Sequence, residues 1–548
     1  MTKDNIKVAV VDDGINEKLY DIGRLNYNIE ITNKLEILHR KEYNKYLPSH
    51  GTICAAIIRK YAPDASLSSI KILNDRRKGL CEQLVEAIKW CVNKKIRIVN
   101  LSVGTAFYMD RKRLKSIINY AVKNDTIIIA AYNNEDIITY PASFSNVISV
   151  KCDYSGKFDE GEYFYNLYPY DGVDIIACSR HMLCKFNHTY SNTQICNSFA
   201  APMITAEVYK ILEKKSELTL GQIKQELMKN ATYKRKDVYL PYLTKNLDWV
   251  ENAVLFQLGS SKDEIDKTCM DFNFVAQIHI QSDCLCEGFE KIMSYFCEAN
   301  NEFDTADTVV IVVNNTVFRQ EECTLRGVLQ ELTHKGKNVV YIDDNAIGKD
   351  LDFEISGSDV KIWHPGMHNY FKEYSCKELD MPVITVYDFD GNCLIDFISI
   401  LQQHFRSDGY NIVAAVDNCL GVVAGMEYSP LLHKDSLQEF DCDSLKKVCR
   451  LYNPDVLIYG IDALNQKQEY LNKVNDLFQS DICIVISKDS CQLKKEFMDT
   501  IHDSEVILLT NPNTITNDLH PKQKYKIFAM SGKNTSTKIY KYILELYE

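Results

Sequence analysis

The sequence predicts an α/β protein. A parallel sheet with helices on both faces spans residues 1–235, and two further α/β units follow at 250–378 and 380–548. Three observations lead there. Apolar strand-like runs alternate with amphipathic helical patterns, the rhythm that parallel strands joined by crossover helices require. The 548 residues exceed what one hydrophobic core serves. Hydrophobic residues at 46% and charged residues at 25% are a globular composition that excludes global disorder.

In chain order, strands are expected at Lys7–Val11, Leu67–Ile72, Ile96–Leu101, Thr126–Ala131 and Val147–Lys151. Helices are expected at Leu80–Lys94, Arg111–Asn124 and Ala201–Lys214, with a buried helix opening near Ile53–Ile58. After a Lys/Tyr/Asp-rich stretch around Thr232–Asn246 the alternation resumes. Strands then fall at Thr308–Val313, Asn338–Asp343 and Lys361–His364. Past a second junction at Asp380-Met381-Pro382 they continue at Val383–Tyr387, Ile412–Val416, Val456–Gly460, Ile482–Ser487 and Val506–Thr510.

The net charge of −12 argues against a nucleic-acid partner, because the sequence-independent attraction to phosphates is missing. No run approaches the ~18 apolar residues of a membrane span. The chain enters a strand almost at once, without a basic segment followed by an apolar one. The 19 cysteines are odd in number and several sit among apolar neighbours, as in Ile53-Cys54-Ala55, so free buried thiols are expected. A cytoplasmic protein is the expectation. No ligand cluster has zinc or calcium-loop spacing, and no metal or cofactor is assigned.

Chemistry concentrates in the first part. Val11-Asp12-Asp13-Gly14 places a carboxylate at a strand's C-terminal end, Ser49-His50-Gly51-Thr52 opens a helix, and Asn197-Ser198-Phe199-Ala200-Ala201-Pro202 places a hydroxyl where a helix begins. The Pro is expected in that helix's first turn. Strand ends and helix N-termini meet along one edge of a parallel sheet, so distant residues converge there. Acyl transfer needs these three types together: a hydroxyl that attacks, an imidazole that moves its proton, and a carboxylate that fixes the imidazole. Alone, each motif is ordinary; His181 and His188 read as structural or surface histidines.

In this order and spacing the motifs resemble the subtilisin-like serine proteases, the subtilases, and the resemblance covers roughly the first 235 residues. Tyr61-Ala62-Pro63-Asp64-Ala65, Ile98–Gly104, Ile129–Asn133 and Tyr140-Pro141-Ala142 resemble the family's intervening segments. The resemblance implies a subtilisin-like sheet and a serine endopeptidase. Ser198 would be the nucleophile, His50 the general base and acid, and Asp12 the residue that orients His50. It also implies Asn133 as oxyanion donor, with Ser102, Val103, Gly104 and Tyr132 binding substrate. Three features depart from the pattern. Cys196-Asn197 stand where Gly-Thr is usual before the nucleophile, Tyr132 stands where Gly is usual, and only 11 residues precede Asp12. The last leaves no room for a signal or prodomain and fits an intracellular member. Carboxylates in Asn134-Glu135-Asp136 would favour a basic substrate residue.

The later units loosely resemble Rossmann-like and degenerate P-loop-like domains, including accessory proteins of peptide-maturation systems. Asp388-Phe389-Asp390-Gly391-Asn392-Cys393 lies where a phosphate loop would, but it lacks the G-x-x-x-x-G-K-[ST] residues. The function expected is peptide-bond hydrolysis in peptide or unfolded protein substrates, a precursor peptide among them. The alternative is an impaired peptide-binding scaffold in peptide maturation.

Overall fold

Lys7–Asp12 (β1) reads KVAVVD and is apolar at every interior position, so both faces of the strand are buried and it occupies the middle of its sheet. The structure, a computed structural model, describes residues 6–234, 242–259, 271–281, 284–296, 302–313, 322–343, 359–369, 381–391, 393–430, 443–464, 466–488, 495–501, 504–511, 525–530 and 534–547. These fall into two compact units. The first holds the described residues of Met1–Glu251, Leu332–Asn338 and Asp352–Trp363, the second those of Asn252–Glu331, Val339–Leu351 and His364–Glu548. Asp380 and Asn392 lie outside the described residues.

In the first unit, the elements after β1 are Asn28–Ile31 (β2), Ile37–His39 (β3), His50–Tyr61 (α1), Ser66–Lys71 (β4), Cys81–Asn93 (α2), Ile98–Leu101 (β5), Arg111–Lys123 (α3) and Ile127–Ala131 (β6). Ile148–Cys152 (β7), Tyr163–Tyr165 (β8), Ile175–Ala177 (β9), Met182–Cys184 (β10), Tyr190–Asn192 (β11), Asn197–Lys214 (α4), Leu220–Asn230 (α5) and Tyr233–Lys234 (β12) complete it. Ten strands make one sheet in the order β12-β8-β9-β7-β6-β5-β1-β4-β2-β3. From β2 to β9 the pairs are parallel, with β1 between β4 and β5. The chain leaves β4 and returns on the other side of β1, so the strand order reverses at β1. A crevice therefore opens at the C-terminal end of that strand.

Val8 and Val10 of β1 pack with Cys54, Ala55 and Ile58 of α1 and Ala200, Ala201 and Ile204 of α4. These two helices cover one face and aim their N-termini at the crevice. α4 starts at Asn197, four residues before the expected Ala201, so Pro202 is its sixth residue rather than part of its first turn. Proline has no N–H to give the carbonyl four residues earlier, which is Ser198's. Ser102 Oγ (3.1 Å) and Cys54 Sγ (3.6 Å) donate to that carbonyl instead. A helix start that propensity alone disfavours is thereby satisfied from two neighbouring elements.

In the second unit, strand Asn252–Leu258 pairs in parallel with Asn273–Ile280 and Thr308–Val313. A separate seven-stranded sheet has Val383–Asp388 at its centre, parallel to Val456–Asp462 and Ile482–Ile486. The helix Leu394–Ser407 packs on it through Leu394, Ile398, Leu401 and Phe405. Among the described residues, no helix is long and apolar enough to cross a membrane.

Candidate active site

Asp12 closes β1 and is fully buried. Its Oδ2 lies 2.8 Å from His50 Nδ1, and its Oδ1 accepts the Asp13 N–H at 2.8 Å. His50 is the first residue of α1. Ser49 caps the helix by accepting the Thr52 N–H, and Asp13 accepts the N–H groups of His50 (2.9 Å) and Gly51 (2.8 Å). The negative Asp13 side chain thus binds amides that no helical carbonyl reaches. Gly51 lets this helix end approach β1: a Cβ there would stand 3.0 Å from both Asp12 Cβ and the Gly14 carbonyl oxygen.

Burial raises the Asp12 carboxyl, opposed by its hydrogen bond with His50. Burial pushes His50 down, but the neighbouring Cys54 sulfur and the Asp12 carboxylate outweigh it, so the imidazole is held above its ordinary range. Burial also raises the Cys54 thiol, opposed by its contacts with His50. Because Asp12 engages Nδ1, the other ring nitrogen, Nε2, is the one directed toward chemistry.

Ser198 is the second residue of α4 and is bracketed by contacts to the rest of the site. Its carbonyl takes the Ser102 and Cys54 donors, and the ring of the next residue, Phe199, stacks on His50 at 5.2 Å. Asp12, His50 and Ser198 line one cavity of about 520 Å³ together with Ser102, Val103 and Gly104. No hydrogen bond joins Ser198 Oγ to the imidazole in this structure. Catalytic hydrogen bonds are often long before a substrate tightens them.

Asn133 follows β6. Its Oδ1 accepts the Glu135 N–H at 2.6 Å, which leaves Nδ2 as the free donor. Asn197 ties this strand end to the serine helix: Nδ2 donates to the carbonyls of Asn133 (2.8 Å) and Tyr132 (3.2 Å), and Oδ1 accepts the Cys152 N–H at 2.8 Å. Cys196, which stands where Gly is usual in the family the motifs resemble, has φ −162° and ψ 156°, extended geometry open to any residue. Asn133 and Tyr132 are not among the residues lining the cavity. Tyr132 is turned into the protein, 3% exposed, with the Lys151 ammonium 4.4 Å from its ring. Lys151 pairs with Asp136 (2.9 Å) and Asp171 (2.7 Å), so Asp136 is neutralised internally.

His181 is fully buried. Its Nε2 faces the Phe199 carbonyl at 3.0 Å and its Nδ1 meets Tyr61 Oη at 2.9 Å. Burial lowers it to about 4, so it stays neutral and braces α4. His188 is exposed at the β10–β11 turn. Sequence reasoning missed Cys54 as a partner of the Ser198 carbonyl. Its signal was the i, i+4 spacing from His50, which puts both on one helix face. Cys54, Asp12 and His50 bring ligand-type atoms within 4.8 Å of one another, and the Asp12–His50 hydrogen bond already occupies two of them.

The fold and these side chains define a subtilisin-like domain: a central strand ending in a buried carboxylate, an imidazole on one helix N-terminus and a serine on another. Residues 3–260 match the model of the Subtilase family. Minor extracellular protease Epr of Bacillus subtilis is 25% identical over 242 residues, 42% of this chain and 35% of Epr. Subtilisin DY of Bacillus licheniformis is 23% identical over 248 residues, 42% of this chain and 84% of that protein. Among solved structures, one titled as a lanthipeptide protease aligns with TM-score 0.35 and 17% identity, covering 43% of this chain and 81% of that one. The chain thus spans little more than a third of Epr's length.

The strand-to-helix step at Val383–Asp388 was the second candidate, as a phosphate loop. Its amides are already taken. Buried Asp388 accepts the N–H groups of Asp390 (2.9 Å) and Gly391 (3.2 Å) on Oδ1 and of Cys393 (2.8 Å) on Oδ2. A carboxylate of the chain itself fills the place where a phosphate would bind these donors.

Proposed function

We propose that the first unit is a serine endopeptidase acting on extended or unfolded peptide segments. The observation that carries this is Asp12 bonded to His50 Nδ1 on a cavity that Ser198 also lines. Ser198 Oγ attacks the scissile carbonyl while His50 Nε2 takes its proton, and Asp12 holds the ring and offsets the imidazolium charge. The tetrahedral oxygen sits between Ser198 N–H, a first-turn amide of α4 with no intrahelical acceptor, and Asn133 Nδ2. Collapse expels the amine with the proton from His50, and water then cleaves the acyl-serine by the same route.

Ser102-Val103-Gly104 at the end of β5 offers main-chain groups to an extended segment as an added strand, which suits unfolded substrates. We assign the protein to a reducing, cytoplasmic setting, supported by free thiols at Cys54, Cys91 and Cys178. A precursor peptide is the natural substrate class proposed, motivated by the large α/β region accompanying the peptidase unit. The test is mass-spectrometric mapping of cleavage in unfolded proteins and candidate precursors, with Ser198→Ala as control. Cuts absent from the control support the endopeptidase. Precursors cut no faster than unrelated unfolded chains defeat the precursor assignment. The missing Ser198–His50 hydrogen bond favours a second reading, a scaffold that binds peptide without cutting, for which both proteins would bind equally and neither would cut.

A further inference from the structure

Part of the cavity lining comes from the turn between β4 and α2, and that turn carries three consecutive cations, Arg76-Arg77-Lys78. Arg77 and Lys78 line the same cavity as His50, Ser198 and Ser102–Gly104. The turn is built to present them. Asn74 N–H donates to the Lys78 carbonyl (3.0 Å) and Arg77 N–H to the Asn74 carbonyl (2.8 Å), while Asn74 Oδ1 accepts the N–H groups of Arg76 (2.9 Å) and Lys78 (3.1 Å). Arg77 holds the left-handed φ of +57° that this closure demands.

All three side chains are exposed, and none has an ion-pair partner among the described residues. The nearby carboxylates are engaged elsewhere. Asp75 pairs with Lys71 (3.8 Å), Glu82 with Arg113, and Asp110 accepts the Thr105 hydroxyl (2.9 Å). Asp12 is bonded to His50. Arg77 and Lys78 thus stand exposed and without an ion pair among the described residues, in a cavity that the carboxylates of Asp12 and Asp110 also line, so a local cationic feature is set in a protein whose net charge is −12. Asp136, which the sequence offered as a reason to favour a basic substrate, is bonded to Lys151.

We propose that Arg77 and Lys78 make this cleft select acidic peptides, with Asp or Glu in the stretch that lies along Ser102–Gly104. The proposal rests on the peptidase reading and supplies its substrate class. Two exposed ion pairs at low salt amount to about tenfold in kcat/KM for an acidic peptide over its Asn/Gln counterpart, and the ratio shrinks as salt is raised.

The test uses the full chain and matched quenched peptides that differ only in Asp/Glu, Asn/Gln or Lys on one side of the cleaved bond. Arg77→Gln/Lys78→Gln collapses the acidic-to-neutral ratio toward one. Arg77→Glu/Lys78→Glu shifts the preference to the Lys series, which a merely structural role of the turn would not do. The same peptides are titrated into Ser198→Ala by fluorescence anisotropy, so the charge preference is read without turnover. Cleavage with equal rates across the series, or a preference for Lys in the unsubstituted protein, overturns the proposal and leaves the peptidase reading standing. Absence of cleavage with acidic-selective binding to Ser198→Ala defeats the peptidase reading and keeps the charge selection.

Discussion

Asn197→Ala removes the side chain that clamps the serine helix to the strand end carrying Asn133. Three hydrogen bonds vanish, to Cys152 N–H and to the carbonyls of Tyr132 and Asn133, at a fully buried position. A buried donor left unsatisfied costs about 1–3 kcal/mol, and carbonyls with a second lone pair cost less, so the total is about 2–4 kcal/mol. For a unit of this size that lowers its melting transition by about 5–15 °C. The same clamp positions Asn133, and loss of an oxyanion donor costs about 10²–10³ in rate, a magnitude taken from subtilisin. The assays are calorimetry and the second-order rate of fluorophosphonate labelling. Asn197→Asp is the discriminating partner. It keeps an acceptor for Cys152 N–H but sets a carboxylate against two carbonyl oxygens. Its folded pKa is therefore raised, and the variant gains stability as pH falls. A melt unchanged in Asn197→Ala refutes the energetic argument. A lowered melt with an unchanged labelling rate refutes the positioning argument.

Other outcomes follow from the same geometry. His181 is lowered from 6.5 to about 4 by burial, so its contribution is intact above about pH 6.5 and is lost as pH falls through 4. That shift corresponds to about 3 kcal/mol; urea midpoints measured from pH 7 to 4.5 fall, and His181→Gln flattens the slope. Lys224 is buried with its ammonium 3.0 Å from Asp174 Oδ2 and 3.0 Å from the Ser145 carbonyl. Lys224→Met strands that carboxylate and costs about 3–5 kcal/mol, while adding Asp174→Asn recovers much of the loss in thermal melts. His50 is held above its ordinary range, so the labelling rate keeps rising above pH 6.5 as the imidazole is freed of its proton. Asp12→Asn moves that limb to lower pH and lowers the rate by about 10⁴.

The central strands were legible where they are apolar runs, as in Ile127–Ala131, whose residues are all buried. The shortest strands were not. β3 and β8–β11 have three residues each, too few for a period to register, and β3 is wholly exposed. The α4 boundary was misplaced because Pro202 reads as a start signal, while the true start depends on Ser102 and Cys54, 96 and 144 residues from Ser198, donating to its carbonyl in place of the missing proline N–H. The positions of Asp12, His50 and Ser198 at one cavity follow from a topology the alternation encodes. What the sequence withheld is pairing: Asp136 and Tyr132 looked like parts of a substrate pocket until Lys151 was found bonded to one and stacked on the other.

The most direct measurement is covalent labelling of the full chain by a fluorophosphonate probe, with Ser198→Ala beside it. An activated serine predicts one label per chain at neutral to alkaline pH, mapped to Ser198 and absent from the variant. No labelling of the unsubstituted protein while it still binds peptide, or equal labelling of both proteins, would contradict the account.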